Sequence, residues 1–181
     1  NRLYSPSNMA IKTIFLDRDG VINKEVNYLF KIDDFHFIDG IFEACYIFNK
    51  LGYEIIIITN QSGISRGFYN ESDFNILTKW MVSEFERHNV KILDIFYCPH
   101  SIDSKCGCRK PKPGMFFKAK EKHSINMQNS WMIGDKETDI DAARSSGINN
   151  TILVRSGHKI DESKTNAKFI LDSIKQSTNI I

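Results

Sequence analysis

Short apolar runs alternate along the chain with longer stretches of helical periodicity. Residues 11–16, Ile-Lys-Thr-Ile-Phe-Leu, read as a buried strand that ends at Asp17. Over residues 40–51, Ile41, Ala44, Cys45, Ile47, Phe48 and Leu51 recur with the spacing of one helix face, and Gly52 closes the stripe. The β-branched run 54–58 predicts a second strand, followed by Thr59-Asn60-Gln61. An amphipathic helix is expected over residues 72–88, with Phe74, Leu77, Trp80, Met81 and Phe85 turned inward. A third strand over 92–97 leads into an irregular polar loop, 98–113. Beyond it the pattern predicts a helix over 115–123, a strand over 131–133 that stops at Gly134-Asp135, and a helix over 138–146 capped by Gly147. A strand at 151–154, an edge strand at Phe169-Ile170-Leu171 and a short terminal helix complete the series.

This alternation implies right-handed crossovers and an α/β fold, a Rossmann-like parallel sheet with helices on both faces. In such sheets ligands bind beyond the carboxyl ends of the strands. The 181 residues suit one domain, and a hydrophobic share of 41% with 25% charged residues excludes a disordered chain. Residues 1–8 resemble an expression-tag remnant, which leaves 9–181 as the expected domain, with a distinctive loop at 98–108. A net charge of +2 with the signs interspersed argues against nucleic acid or a membrane surface as partner. The longest apolar runs, such as 55–58, are too short to span a bilayer, and 11–16 runs directly into Asp17-Arg18-Asp19 rather than into a cleavage site. A cytoplasmic monomer acting on a small molecule is the expectation.

Three of the expected strands end in polar signatures: Asp17-Arg18-Asp19-Gly20, Thr59-Asn60-Gln61-Ser62-Gly63 and Gly134-Asp135-Lys136-Glu137-Thr138-Asp139. The sheet rule brings Asp17, Asp19, Thr59 and Asp135 to one rim. Crowded carboxylates repel one another and need a cation, and Mg²⁺ is the natural occupant where a phosphate also binds. Phosphoryl transfer asks for positioning and charge neutralisation, which the ion and a lysine can supply. A lone Asp-x-Asp-Gly is usually a turn, and a calcium loop would need an oxygen ligand and a glycine where Val21 and Ile22 stand. Three signatures, each behind an expected strand, point instead to catalysis.

Three of the four cysteines lie between Cys98 and Cys108. Cys98, His100, Cys106 and Cys108 supply three sulfurs and one imidazole, the donor set of a closed, structural Zn²⁺ site in a reducing compartment. Cys45, on an apolar helix face, is expected to be core. Directly after the last ligand come Arg109-Lys110-Pro111-Lys112-Pro113, whose prolines stiffen the segment. With Lys105 this is the densest basic cluster, too short and too isolated for a nucleic-acid face.

Asp17-Arg18-Asp19-Gly20-Val21, Thr59, Lys110 and Gly134-Asp135-Lys136-Glu137-Thr138-Asp139 resemble the four motifs of the haloacid dehalogenase-like phosphatases. The resemblance implies that Asp17 attacks phosphorus to form an aspartyl-phosphate and that Asp19 is the general acid and base. It implies that Thr59 and Lys110 hold the phosphoryl oxygens, and that Mg²⁺ is bound by Asp17, the Asp19 carbonyl and Asp135. The stretch between Asp17 and Gly40 is too short for a cap domain, so loops are expected to choose the substrate. Thr59-Asn60-Gln61-Ser62-Gly63-Ile64, Arg66-Gly67, Cys98-Pro99-His100, Cys108-Arg109-Lys110-Pro111 and Pro113-Gly114-Met115 are similar to the heptose 1,7-bisphosphate 7-phosphatase family. By that family's pattern Glu25, Val26, Asn27, Tyr28, Thr59, Asn60, Gln61, Ser62, Arg109, Lys110 and Lys136 join Asp17 and Asp19 in contacting substrate, with Arg109 also counted as catalytic. The implied product feeds nucleotide-activated heptose for lipopolysaccharide or other surface polysaccharide. The short loop between His100 and Cys106 fits the histidinol-phosphate phosphatases, the alternative, which share the zinc ligands. Ser62-Gly63-Ile64, Arg66-Gly67 and Pro113-Gly114-Met115 favour the heptose pattern.

Overall fold

Among the described residues six strands form one parallel sheet: β1 (Thr13–Leu16), β2 (Glu54–Asn60), β3 (Asp94–Cys98), β4 (Trp131–Gly134), β5 (Asn150–Val154) and β6 (Phe169–Leu171). Their spatial order is β3-β2-β1-β4-β5-β6. Four α-helices connect them: α1 (Ile41–Lys50), α2 (Glu71–Arg87), α3 (Gly114–His123) and α4 (Glu137–Ser145). This computed structural model describes residues 10–181, so the segment 1–8 expected to be a tag remnant lies outside the described residues.

The run Ile55 to Ile58 lacks a polar alternation because both faces of the sheet are covered. Ile55 and Ile57 pack with Ala44, Cys45 and Phe48 of α1 and Leu77, Met81 and Phe85 of α2. Ile56 and Ile58 face Met115, Phe116 and Ala119 of α3 and Ala142 and Ala143 of α4. Cys45 is fully buried there, as core. Helix α2 starts one residue earlier than its apolar period suggests, because Asn70 and Asp73 cap each other's backbone N–H groups at 2.8 and 3.0 Å. The first strand is shorter than its apolar run: Ile11 makes only an isolated bridge to Ile125, and the Thr13 N–H is taken by Ser130 Oγ at 3.0 Å. β2 is longer than expected, since Thr59 and Asn60 pair with Tyr97 and Cys98 of the edge strand. The terminal element, Ile174–Asn179, is a 3-10 helix rather than an α-helix, and its Ile174 is buried against the α1 side of the sheet.

β1 sits between β2 and β4, so the chain leaves it in one direction for β2 and later returns on its other side. The crevice at the carboxyl ends of β1 and β4 is therefore the topological switch point, the usual ligand position in this strand order. Residues 17–40 cross that end as a loop with one 3-10 turn, Ile32–Asp34, and bury Val21, Ile22, Leu29 and Phe35 in the core instead of forming a cap. No described helix is long and apolar enough to cross a membrane.

Phe116 is fully buried, and its ring lies 5.0 Å from that of Phe15 across the α3 face. Phe116→Ala should lower unfolding stability by about 3–5 kcal/mol in denaturant titration. A loss below about 1 kcal/mol would mean that this face is not a packed core.

Candidate active site

β1 and β4 deliver Asp17 and Asp135 side by side, and Asp139 reaches them from the first turn of α4. Oxygens of all three lie within 4.8 Å of one another. One lysine holds the group together: Lys110 Nζ donates to Asp17 Oδ1 at 3.0 Å and to the Ile58 carbonyl at 2.8 Å, and pairs with Asp139 Oδ1 at 2.6 Å. Asp139 Oδ2 accepts the N–H groups of Asp135 and Lys136, both at 3.1 Å, so both of its oxygens are engaged. Asp135 Oδ2 accepts the His158 N–H at 2.9 Å and lies 2.6 Å from His158 Nδ1, whereas its Oδ1 is buried with no partner. The fit is close: a Cβ on Gly20 or Gly157 would overlap Asp135 Oδ2, and Gly20 also has φ +91°, so glycine is required there on both counts.

Three buried carboxylates share one ammonium. Burial, and then the charges of Asp139 and Asp135, push Asp17 well above the usual carboxylate range despite Lys110. Burial and Asp139 push Asp135 up to about 6. Burial works against the charge on Lys110, but Asp139 and Asp17 outweigh it and hold Lys110 above its ordinary value. A divalent cation beside Asp17 and the unpartnered Asp135 Oδ1 would restore the balance, so the donor set fits Mg²⁺.

Asp19 stands apart from this cluster, at the start of the loop. Arg18, Asn23 and Gln61 hold its carboxylate: Arg18 Nη2 lies 3.1 Å from it, Asn23 Nδ2 donates at 3.0 Å and Gln61 Nε2 at 3.2 Å. Gln61 Nε2 also donates to Thr59 Oγ1 at 2.8 Å, which leaves the Thr59 hydroxyl proton free for a ligand. Tyr69 anchors Gln61 from behind through its hydroxyl. The Asn60 side chain bonds both the N–H and the carbonyl of Lys110, at 3.0 and 3.2 Å. Asn60 and Gln61, expected at the substrate, thus have side chains engaged within the protein.

Cys98, His100, Cys106 and Cys108 gather their ligand atoms within 4.8 Å, and the three cysteines are free of disulfides. The Cys98 and Cys106 sulfurs are 3.8 Å apart, the spacing of two sulfurs on a tetrahedral zinc with bonds of about 2.3 Å. Cys108 Sγ lies nearer, 2.8 Å from Cys98 Sγ, and His100 Nδ1 is 3.2 Å from Cys108 Sγ. Burial and the neighbouring Cys108 push Cys98 up to about 12. Against the cost of burial, the N–H groups of Arg109 and Cys108 and the Ser104 hydroxyl draw Cys106 down to about 6, where a thiolate stands ready for a metal. The donor set fits zinc, with no open position.

Beside the carboxylates a cleft of about 590 Å³ is lined by Asn27, Tyr28, Ser62, Arg66, Arg109 and Lys136, with the tip of the zinc loop, Ser101 to Asp103, on its far wall. Arg109 Nη1 is buried there with no partner. A smaller recess beside it is lined by Val26, Asn60, Gln61 and Ser62 together with Asp19. Glu25 lines neither of these; its Oε1 lies 3.7 Å from Nε2 of His158, the residue that meets Asp135. Two residues at the carboxylates were not singled out from sequence. Asp139 could have been, since it follows Asp135 by one helical turn at a helix N-terminus. His158 gave no local signal.

Two measurements test the metal assignments. Without a divalent ion the raised carboxyls keep protons in the folded state that the unfolded chain has released. For Asp135 that contribution to stability is therefore fully present below the ordinary value of 3.8 and is lost as pH rises through about 6, and Asp17 shifts in the same direction. Added Mg²⁺ should raise Tm clearly at pH 8 and little at pH 4.5, and an equal gain at both would remove these carboxylates from the metal site. The protein should also carry one zinc that Mg²⁺ does not displace. Cys108→Ser should lose it and loosen the segment before Lys110 while the sheet stays intact, and elemental analysis finding no zinc in active protein would refute a structural role.

A HAD-hydrolase-like family model matches residues 107–177. The D-glycero-alpha-D-manno-heptose-1,7-bisphosphate 7-phosphatase of Photorhabdus laumondii is 48% identical over 164 residues, 87% of this chain and 90% of that protein. The D-glycero-beta-D-manno-heptose-1,7-bisphosphate 7-phosphatase of Vibrio cholerae is 45% identical over 175 residues, 92% of this chain and 94% of that protein. The crystal structure of a D,D-heptose 1,7-bisphosphate phosphatase from B. bronchiseptica, complexed with magnesium and phosphate, superposes with a TM-score of 0.82 at 26% identity, covering 93% of this chain and 97% of that one. With the carboxylate–lysine cluster at the switch point and similarity over nearly the whole of these relatives, the chain belongs to the D-glycero-D-manno-heptose-1,7-bisphosphate 7-phosphatase family of HAD-like phosphatases.

Proposed function

We propose that this protein removes the 7-phosphate of D-glycero-D-manno-heptose 1,7-bisphosphate through an aspartyl-phosphate, in the synthesis of nucleotide-activated heptose. The observation that carries the reading is Asp17 at the end of β1, oriented by Lys110 beside the unpartnered Asp135 Oδ1 and next to a cleft holding Arg109 and Lys136. A nucleophile and a place for a cation serve the transferred phosphoryl group, and the cleft cations suit a substrate that carries a second one. The histidinol-phosphate alternative is not favoured, because the relatives matched over most of this chain are named for heptose bisphosphate.

In this mechanism an Asp17 oxygen bonds to phosphorus as the bond from phosphorus to the C7 oxygen breaks. Asp19 gives its proton to the departing sugar oxygen. It then takes a proton from the water that attacks the aspartyl-phosphate, so that inorganic phosphate leaves and Asp17 is restored. Lys110 and the free Thr59 proton hold phosphoryl oxygens. Arg18, Asn23 and Gln61 keep the Asp19 carboxyl aimed, and Glu25 to Tyr28 with Ser62 border the sugar. Asp17, the Asp19 carbonyl and Asp135 would hold Mg²⁺, which supplies charge neutralisation at the phosphoryl group when bound. The enzyme is taken to act as a cytoplasmic monomer on a small molecule, with neither nucleic acid nor membrane as partner.

Turnover of both anomers of the heptose bisphosphate and of histidinol phosphate, measured side by side, tests the substrate. Heptose bisphosphate should be strongly preferred, with activity abolished by EDTA and restored by Mg²⁺. Asp19→Asn should lower kcat by about 100- to 10,000-fold, and Asp17→Asn should abolish trapping of a phosphoenzyme. Ordinary turnover by a folded Asp17→Asn protein would end the covalent mechanism.

A further inference from the structure

Arg66 lies outside every role assigned above, yet it forms part of the cleft wall with Arg109 and Lys136. Its loop is rigid for an exposed one. Arg66 N–H bonds the Ser62 carbonyl at 3.1 Å, Phe68 N–H bonds the Gly63 carbonyl at 2.9 Å, and Ser65 Oγ donates to the Ser62 carbonyl at 2.9 Å. Any side chain at Gly63 would collide with the Tyr69 ring, which ties this loop to the buried Tyr69–Gln61 contact and so to Asp19.

The guanidinium itself is held by aromatic groups rather than by an acid. It lies 5.3 Å from the Tyr28 ring centroid and 5.7 Å from that of Phe68, and those two rings stack at 4.3 Å with 25° between their planes. Arg66 Nη1 also donates to the Tyr28 hydroxyl, which leaves the hydroxyl proton free to donate onward. Arg18, Arg87 and Arg155 each pair with a carboxylate. Arg66, Arg109 and Lys136 make no ion pair among the described residues, although Asp103 lines the same cleft. Three unneutralised cations at one cleft, one of them fixed on an exposed aromatic stack, form a site for a multiply charged anion.

Resting on the function proposed above, we infer that Arg66 is a specificity residue: it binds the phosphate that is not transferred, and Tyr28 and Phe68 pre-set its guanidinium for that contact. A bisphosphate with one phosphoryl group at Asp17 has its second one remote from Lys110, where the cleft cations are the groups left to meet it. An arginine suits the task because its planar fork can donate two hydrogen bonds to one phosphate, and because its stacking on Tyr28 and Phe68 reduces the freedom lost on binding.

The test compares heptose 1,7-bisphosphate with p-nitrophenyl phosphate, which has no second phosphate, in wild type, Arg66→Ala and Arg66→Lys. The readout is the ratio of kcat/KM for the two substrates. Arg66→Ala should lower that ratio by about 10- to 100-fold, mainly through KM for the bisphosphate, as expected for the loss of charge-assisted hydrogen bonds. Arg66→Lys should fall between, keeping the charge but not the fork. An unchanged ratio in Arg66→Ala, or an equal loss on both substrates, overturns the inference while leaving the heptose reading intact. A wild-type enzyme with no preference for the bisphosphate overturns the heptose reading and this inference together.

Discussion

Three carboxylates converge at the end of the sheet on one buried lysine, and much of the remaining architecture serves that concentration of charge. Each charged group is out of water, so each must be satisfied by another; removing one partner from such a cluster typically costs about 3–5 kcal/mol. Lys110 therefore binds Asp17, Asp139 and the Ile58 carbonyl at once. Asp139 spends its second oxygen on the backbone that carries Asp135 and Lys136. Within the cluster Asp135 Oδ1 is buried without a partner, where a divalent ion would remove the residual repulsion. The site is organised around a charge deficit that the protein leaves open.

That arrangement makes the position of Lys110 critical, and two clamps set it. Asn60, at the end of β2, binds both backbone groups of Lys110. The zinc loop connects the buried end of β3, at Cys98, to Cys106 and Cys108 immediately before Arg109. Four protein ligands would leave a zinc ion no room for a water, so its contribution to catalysis would be geometric. A displacement near 1 Å in such a group is enough to cost on the order of 100-fold in rate. Zinc and magnesium would thus have separate tasks, with the lysine joining them.

Without a cap, the cleft must choose its substrate with loops. These come from three places in the chain: Asn27 and Tyr28 after β1, Ser62 and Arg66 after β2, and Ser101 to Asp103 in the zinc loop. The first is held by Arg18 Nη2, which donates to the Leu29 carbonyl at 3.3 Å, the second is tied through Tyr69 and Gln61 to Asp19, and the third is anchored by the Cys98, His100, Cys106 and Cys108 group. Rigid supports let exposed side chains hold fixed positions, which is what recognition of two phosphates at a set separation requires.

The sequence by itself determined the strands, the helices and their layering, because apolar period depends on near neighbours and on which faces are covered. It also determined the chemical inventory: Asp17, Asp19, Thr59 and Asp135 each follow a strand, and parallel strands deliver their ends to one rim. The grouping of Cys98, His100, Cys106 and Cys108 was legible from donor type and spacing alone. Tertiary structure decided what each group faces. Thr59 and Asn60 join β2 because a distant edge strand pairs with them, and Asn60 then turns to Lys110 rather than to solvent. His158 reaches Asp135 only because the loop after β5 folds back over Gly20, where Ser156 Oγ meets the Gly20 carbonyl at 2.8 Å. Arg66 owes its setting to Tyr28, on another loop. Such partners are brought together by packing between segments far apart in the chain, and a local pattern of polar and apolar residues carries no record of that distance.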